Sequence, residues 1–279
     1  MTSRVESEPN WGTESRLAAS QRWKEKSARM GQPATSALVD YAAPQPGMQI
    51  LDLASGTGEP AITLARRIGP EGQVTATDLS ADLLEIANTR AKASGLSNVV
   101  TRRADAHELP FPENSFDLAT SRFGIMFFSD VERALRELKR VLRPGGRACF
   151  LVWDTVDQPY FRSMFGVVHR AVGGPYLLAE GPNPFRFAET DSLPSVMRSA
   201  AFRDVEEEKR IVPWIWPGPV EELWERERTI AVAFRPLLDR VPHDRWPQIH
   251  ADVHNELSKY SDGENVGFQI SVVLVSGRK

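Results

Sequence analysis

The segment Ile50–Gly58, which reads ILDLASGTG, constrains the fold of this chain more than any other stretch. A short apolar run leads into a glycine loop, and Pro60, a residue favoured in the first turn of a helix, follows at once. Gly56 and Gly58 allow backbone conformations and close approaches that a side chain would block. Loop amides beside a helix N-terminus can face a ligand. The segment therefore predicts a strand, a ligand-binding loop and a helix, although a buried strand with a plain tight turn has the same pattern.

Short apolar runs alternate with amphipathic stretches from Gln49 to Trp153, a pattern typical of βαβ units. The runs ILDL and ACFLVW are nearly continuous in apolar character, as expected of strands that are buried on both faces. The chain therefore predicts an α/β fold with a mostly parallel sheet. The predicted strands are Gln49–Leu53, Val74–Leu79, Val99–Arg103, Phe116–Ser121, Arg147–Trp153, Val205–Val212 and Phe268–Val275.

The length and the remaining segments indicate one large domain with additions. A chain of 279 residues suits a single α/β domain that carries a lid better than two full domains. Residues 1–46 predict one or two helices packed over the core as an N-terminal cap. Residues 47–279 would form the main domain, with two aromatic-rich lid inserts at residues 155–188 and 214–264.

Charge and cysteine content restrict the partners of the protein. A net charge of −3 predicts no strong attraction to nucleic acid or to an anionic membrane, and favours a small-molecule partner. Cys149 is the single cysteine, which excludes an intramolecular disulfide and a cysteine-based zinc site. No stretch has the roughly 18 uncharged apolar residues of a membrane span. We expect a cytoplasmic protein without a metal, since His250 and His254 share a helix face but have no accompanying carboxylate motif.

Two acidic residues lie beside the glycine loop. Asp78 ends the second predicted strand, where a carboxylate can accept hydrogen bonds from both hydroxyls of a ribose. Taken alone, it fits a cap of the helix that begins after Ser80 better than a ribose-binding residue. Asp52 lies within a buried strand, where a carboxylate is costly unless it is paired. Both positions favour a nucleotide-like ligand over a plain turn.

A second interpretation of the loop is open. Gly56–Ala61, which reads GTGEPA, also fits the G-x-G-x-x-A fingerprint of dinucleotide-binding proteins, so an NAD(P)-dependent oxidoreductase is an alternative. Asp52 lies just ahead of the loop, where its charge would repel a pyrophosphate but attract an ammonium group. No second mononucleotide-binding half is visible, which also counts against this alternative.

The ordered motifs resemble those of the class I S-adenosylmethionine-dependent methyltransferase superfamily, in the group that includes the ubiquinone/menaquinone-biosynthesis methyltransferases. DLASGTG resembles the first motif of that group and ADAHELPF the third. Phe116-Asp117 with Ser121-Arg122-Phe123 resembles the fourth-strand motif, and LRPGG matches the residues that usually precede strand five. The resemblance runs from Met48 to Trp153 and returns at Phe187–Val212. It implies a Rossmann-like, seven-stranded sheet whose last strand is antiparallel.

The resemblance also implies a role for individual residues. Asp52 and the backbone of the loop would hold the methionine part of S-adenosylmethionine, and Asp78 would bind the ribose. Leu79 and Leu83 would lie against the adenine, which Asp105-Ala106 would recognise by hydrogen bonds. The end of the fourth strand would face the transferable methyl group. The predicted cofactor-binding residues are Asp52, Ala54, Ser55, Gly56, Thr57, Gly58, Asp78, Leu79, Leu83, Asp105, Ala106, Ser121 and Arg122.

The implied reaction is methyl transfer to an oxygen, nitrogen or carbon of a small, partly apolar acceptor. A sulfonium methyl is already electrophilic, so positioning supplies much of the rate, and a base is needed only if the acceptor loses a proton. Candidate bases are His169, Tyr160 and Asp157, and packing or surface roles are the alternative for each. A protein that binds the cofactor without turnover is another possibility. The predicted acceptor-binding residues, which could instead form the core of the lid, are Phe123, Tyr160, Phe161, Phe165, Trp214, Trp216 and Trp224.

Overall fold

The computed structural model describes residues 14–279, and within this part of the chain seven strands form one sheet. The strands are β1 (Gln49–Leu53), β2 (Gln73–Asp78), β3 (Val99–Arg103), β4 (Phe116–Arg122), β5 (Leu142–Trp153), β6 (Arg203–Trp216) and β7 (Val266–Arg278). Their order in the sheet is β3-β2-β1-β4-β5-β7-β6. The first five strands are parallel, whereas β7 runs antiparallel to both of its neighbours, β5 and β6. This arrangement confirms the predicted fold, including the antiparallel last strand.

Five of the seven strands differ from their predicted bounds, and the differences in β5 and β6 change the expected local structure. β5 begins at Leu142, not at Arg147, because Leu142 pairs with Phe116 before the register shifts and Arg147 pairs with Leu118. The Pro-Gly-Gly turn predicted ahead of this strand is therefore an irregularity within it. β6 continues to Trp216, whereas the sequence analysis predicted that this strand ends at Val212. That prediction was wrong, because Val212, Trp214 and Trp216 alternate inward along a strand that pairs with β7 through Val266.

Helices cover both faces of the sheet. Along the chain they are α1 (Glu14–Ala42), α2 (Ala61–Ile68), α3 (Ala81–Ala93), α4 (Val131–Val141), α5 (Pro159–Arg162), α6 (Phe165–Val172), α7 (Ser192–Ser199), α8 (Val220–Ile230), α9 (Arg235–Leu238) and α10 (Trp246–Ser258). α1 and α2 belong to one apolar core, and α4 and α7 belong to the core on the opposite face. Burial on both faces explains why Ile50 and Leu51, adjacent residues of β1, are both fully buried.

The helices outside the α/β alternation pack together on the side of the sheet that α1 covers. Residues of α5, α6 and α8 through α10 share one apolar core with α1, so the cap and the two late segments form a continuous layer. The described part of the predicted N-terminal cap is the single helix α1, while residues 1–13 lie outside the described residues. No helix within residues 14–279 is long and apolar enough to cross a membrane.

Candidate active site

Backbone hydrogen bonds hold the glycine loop that follows β1. The amide of Ser55 donates to the carbonyl of Thr77 at 2.9 Å, and the amide of Gly58 donates to the carbonyl of Ser55 at 2.9 Å. Ala54, Gly56 and Gly58 all have positive φ angles, of 53°, 52° and 107°. A left-handed alanine costs about 1–2 kcal/mol, and such residues cluster at functional sites. The loop is therefore held in a shape that its sequence would not adopt alone.

Asp52 lies under this loop and is fully buried. One carboxylate oxygen accepts from Ser55 Oγ at 2.6 Å and the other from Thr120 Oγ1 at 2.7 Å. Burial raises the pKa of this carboxyl group to about 7, although both hydroxyls and the charge of Arg122 act in the opposite direction. Since both oxygens are engaged inside the protein, Asp52 supports the loop and acts on a ligand through its charge.

Asp78 joins the end of β2 to the same loop. Its Oδ2 accepts from the amide of Gly56 at 2.9 Å, and its Oδ1 accepts from the amide of Ser80 at 2.9 Å. Burial raises the pKa of the Asp78 carboxyl group, while these backbone hydrogen bonds lower it. The helix cap is a different residue, since the Ser80 hydroxyl accepts from the amide of Leu83. Each Asp78 oxygen keeps a further lone pair for a ligand.

The loop after β3 is held by Asp105 and His107. Asp105 Oδ1 accepts from the amide of His107 at 2.8 Å and contacts its Nδ1 at 2.6 Å. His107 Nε2 accepts from the amide of Asp130, so the proton of a neutral ring lies on Nδ1. Burial raises the pKa of the Asp105 carboxyl group, but hydrogen bonds from His107 outweigh burial, and the net shift is downward. His107 therefore braces the loop through Asp105 and Asp130.

The end of β4 places three predicted residues next to α1. Arg122 Nη1 donates to the carbonyl of Gly31 at 3.1 Å and to Thr35 Oγ1 at 2.9 Å, whereas its buried Nε has no hydrogen-bond partner within residues 14–279. Burial lowers the pKa of the Arg122 guanidinium. The buried Oγ of Ser121 has no hydrogen-bond partner in this range either. Phe123 follows with a positive φ of 57°, which turns the chain away from the strand.

A cavity of about 330 Å³ lies beside these strand ends, and we call it the aromatic cavity. The glycine loop contributes Thr57 and Glu59 to its wall, and α8 contributes Arg226 and Glu227. Its aromatic lining includes Phe123, Trp153, Tyr160, Phe161, Phe165 and Trp214. The rings of Phe123 and Trp153 stack with centroids 4.3 Å apart, and Trp214 meets Trp153 edge-on at 5.4 Å. The cavity therefore joins the loop to a preformed aromatic enclosure.

A wider groove of about 610 Å³ lies between α1, α2 and α3. It shares Glu59 with the aromatic cavity, but its wall consists mostly of polar and charged side chains and holds none of the predicted cofactor residues. Arg90 separates the groove from the loop, because it donates to the carbonyl of Thr57 at 2.5 Å and lies 3.6 Å from the Glu59 carboxylate. The aromatic cavity is therefore the better candidate for a reaction site.

Comparison with known proteins decides the family. Residues 28–210, well over half of the chain, match the ubiE/COQ5 methyltransferase family. The chain belongs to this family. The match covers α1 from its middle, the glycine loop and most of β6, so it includes every predicted cofactor-binding residue.

Individual relatives agree with the family assignment. A 128-residue stretch is 37% identical to the ubiquinone/menaquinone biosynthesis C-methyltransferase UbiE of Shewanella frigidimarina, and covers 46% of this chain and 51% of that protein. A stretch of the same length is 38% identical to the demethylmenaquinone methyltransferase of Listeria welshimeri, and covers 46% of this chain and 54% of the relative. The match thus spans about half the length of these relatives. The YcgJ protein of Bacillus subtilis shares the fold, with a TM-score of 0.58, 21% identity, and coverage of 88% of this chain and 97% of that one.

Membership in this family does not favour the alternative of an NAD(P)-dependent oxidoreductase. The structure places the three candidate bases in different surroundings. Tyr160 lines the aromatic cavity. His169 does not, because its ring stacks on Tyr176 and its Nε2 lies 2.7 Å from the carbonyl of Gly174. Asp157 is exposed and pairs with Arg162 at 3.3 Å. His169 and Asp157 therefore lie outside the cavity and contact neighbouring residues, whereas Tyr160 lies on its wall.

The predicted acceptor residues divide in the same way. Five of the seven line the aromatic cavity, namely Phe123, Tyr160, Phe161, Phe165 and Trp214. Trp216 and Trp224 do not line it. Trp216 is completely buried between the sheet and α8, with the guanidinium of Arg226 5.6 Å from its ring centroid. Trp224 packs edge-on against the ring of Phe165, with the ring centroids 6.1 Å apart. These two tryptophans belong to the core, as the alternative interpretation held.

Sequence reasoning missed several residues of the cavity. Met30 and Ser27 come from α1, Phe234 from the segment after α8, and Glu227 from α8 itself. Glu227 had a detectable signal, because Leu223, Trp224 and Glu227 have helical spacing and would share one face. A carboxylate on the apolar face of a helix indicates a paired or functional group.

Proposed function

We propose that this protein transfers a methyl group from S-adenosylmethionine to a small, partly apolar acceptor that is held in the aromatic cavity. The observation that carries the proposal is that one cavity wall includes both the glycine loop and the cluster of aromatic rings. A methyl donor at the loop and an acceptor among the rings would lie side by side. The relatives are named for ubiquinone and menaquinone biosynthesis and for demethylmenaquinone. These names support a flat acceptor of this kind.

The residues at the strand ends fit S-adenosylmethionine. A side chain at Gly56 would meet no protein atom within 4 Å, so the loop borders open space. Leu79 is 40% exposed at the end of β2, an unusual position for a leucine unless a ligand covers it. The unpartnered Ser121 hydroxyl lies at the end of β4. Asp78 would bind the ribose, Asp105 and Ala106 the adenine, and the loop with Asp52 beneath it the methionine end.

The cofactor supplies an electrophilic methyl group, so the protein's contribution is to position the acceptor and exclude water. Stacked and edge-on rings form a rigid apolar enclosure, which suits a flat molecule and loses little entropy on binding. The net charge of −3 supports a small molecule over nucleic acid as the acceptor. We also propose a cytoplasmic location, which the single, free thiol of Cys149 supports.

Binding and turnover together test the proposal. Calorimetry with S-adenosylhomocysteine should show binding in the micromolar range or tighter, and NADH should not compete. Methyl transfer from radiolabelled S-adenosylmethionine should then be detected with at least one member of a panel of aromatic acceptors. Binding without turnover on any acceptor would favour a non-catalytic cofactor-binding protein, and NADH binding at the same site would favour an oxidoreductase.

A further inference from the structure

Glu227 is a buried carboxylate on the wall of the aromatic cavity. It lies on the face of α8 that also carries Leu223 and Trp224, and it is only 5% exposed. An ionised carboxylate is costly in such surroundings unless a counter-charge and hydrogen bonds compensate for the lost water. The Glu227 carboxylate therefore requires a counter-charge and hydrogen-bond donors.

The counter-charge comes from the neighbouring Arg226. The two side chains are in direct contact, and the Arg226 side chain is itself 12% exposed. Arg226 Nε donates to Ser27 Oγ of α1 at 2.9 Å, which fixes the guanidinium between the two helices. Arg226, which is anchored to α1 through Ser27, therefore fixes the orientation of the Glu227 carboxylate.

Tyr160 faces Glu227 across the cavity wall. Burial raises the pKa of the Tyr160 hydroxyl well above its ordinary value, and the negative charge of Glu227 raises it further, while Arg226 acts in the opposite direction. Tyr160 therefore stays protonated and can donate its proton in a hydrogen bond to a neighbouring oxygen. It is suited to orient the Glu227 carboxylate and not to remove a proton from an acceptor.

Glu59 is the other acidic residue that lines the cavity within the part of the chain that the structure describes, and it has partners of its own. Glu59 accepts from Thr63 Oγ1 at 2.7 Å and lies 3.6 Å from Arg90, which is bound to the glycine loop. Arg122 brings a positive charge and a buried Nε that has no hydrogen-bond partner within residues 14–279. Glu59 is thus held beside the glycine loop, whereas Glu227 lies near the hydroxyl of Tyr160.

We propose that Glu227 accepts the proton that a hydroxyl-bearing aromatic acceptor loses during methyl transfer, with Tyr160 as a positioning residue. This inference rests on the proposed function. A hydroxyl fits better than an aromatic amine, because Arg122 and Arg226 both line the cavity. Their positive charges would stabilise an oxygen that becomes anionic as it loses its proton, and would oppose the positive charge that an amine nitrogen gains on methylation.

The step balances in atoms and charge. The O–H bond of the acceptor breaks, and its proton passes to a Glu227 carboxylate oxygen. The freed electron pair forms the new bond to the methyl carbon, either at the oxygen or, through the ring, at a carbon that later returns its own proton to the oxygen. The sulfur–methyl bond breaks with its electrons on sulfur. A cationic donor and an anionic carboxylate become a neutral thioether and a neutral carboxyl group.

The test compares Glu227→Gln with Tyr160→Phe and the control Glu225→Gln. Glu225 lies on the same helix as Glu227, and its exposed carboxylate pairs with Arg22 of α1. Naphthohydroquinone, kept reduced under argon, is the acceptor, and naphthylamine is the comparison. Glu227→Gln should bind S-adenosylhomocysteine within about twofold of wild type while kcat falls roughly 100-fold or more. It should also lose the acidic limb of the pH profile of kcat/KM.

Tyr160→Phe should keep that limb and lose roughly tenfold or less in kcat, since Tyr160 acts through Glu227. Glu225→Gln should match wild type in both rate and pH profile. A Glu227→Gln variant with the wild-type rate and acidic limb would overturn the proposal. So would a wild-type enzyme that binds S-adenosylhomocysteine but methylates naphthylamine in preference to naphthohydroquinone, or methylates neither. Failure of the wild-type protein to bind S-adenosylhomocysteine would instead reject the proposed function.

Discussion

The carboxylate of Asp78 accepts a 2.9 Å hydrogen bond from the backbone amide of Gly56, which ties the end of β2 to the loop that follows β1. This bond links two neighbouring strands at the sheet edge where parallel α/β proteins bind their ligands. Asp78 therefore has two tasks under the proposed function, because it shapes the loop and offers its remaining lone pairs to a ribose.

Replacement of Asp78 tests both tasks. Asp78→Ala should weaken S-adenosylhomocysteine binding by about 1.5–3 kcal/mol, the scale of hydrogen bonds to a charged group. Calorimetry gives the affinity, and thermal unfolding shows whether the variant is folded. The matched control is Asp82→Ala, an exposed residue in the first turn of α3, which should leave the affinity unchanged. Unchanged affinity in a folded Asp78→Ala variant would remove Asp78 from the site.

The two loop glycines should respond differently to substitution. A Cβ at Gly56 would meet no atom of residues 14–279 within 4 Å, so Gly56→Val should lose stability through its positive φ of 52° and not through a clash. Its side chain should block the ligand and abolish binding of S-adenosylhomocysteine. A Cβ at Gly58 would lie 3.0 Å from Ile62 Cδ1 and 3.2 Å from Ala87, so Gly58→Ala should mainly lower the unfolding temperature. Normal binding by the Gly56 variant would mean that this loop is a plain turn.

Asp52 should make stability depend on pH. Its pKa is 3.8 without the fold and is raised to about 7 by burial. Because the folded pKa is the higher one, this contribution to stability is complete below about pH 4 and is lost as the pH rises through 7. Relative to Asp52→Asn, the wild-type free energy of unfolding should fall by roughly 2–3 kcal/mol from about pH 5 to about pH 8. Urea denaturation at several pH values measures this difference, and parallel curves for the two proteins would contradict it.

Two aromatic substitutions should separate the cavity from the core. Trp216→Ala should destabilise the fold by about 3–5 kcal/mol, because Trp216 is completely buried and does not line the cavity. Phe161→Leu should instead weaken acceptor binding by about 1 kcal/mol and leave affinity for S-adenosylhomocysteine unchanged, because Phe161 lines the cavity. The measurements are denaturant unfolding, acceptor KM and cofactor titration. The reverse pattern would show that the assignment of the two rings is wrong.

The sheet was largely predictable because its central strands are buried on both faces and are separated by strong turn residues. β1 and β3 have the predicted bounds, Gln49–Leu53 and Val99–Arg103. The extension of β6 to Trp216 was not predictable, since Pro213 usually ends a strand. Here it lies on an edge strand, where a missing N–H costs no pairing on the solvent side.

The sequence by itself determined the local chemistry of this protein: the strand and glycine loop, the acidic residue at the end of β2, and membership in a methyltransferase family. Local spacing specifies these features because they depend on residues that are neighbours in the chain. Only the tertiary structure decided which side chains meet across elements. Trp214 and Trp216 lie on the same face of β6, yet Trp214 lines the cavity and Trp216 is sealed in the core. The packing of α1 and α8 makes that difference, and the same packing brings Glu227 to Tyr160 and Arg226 to Ser27.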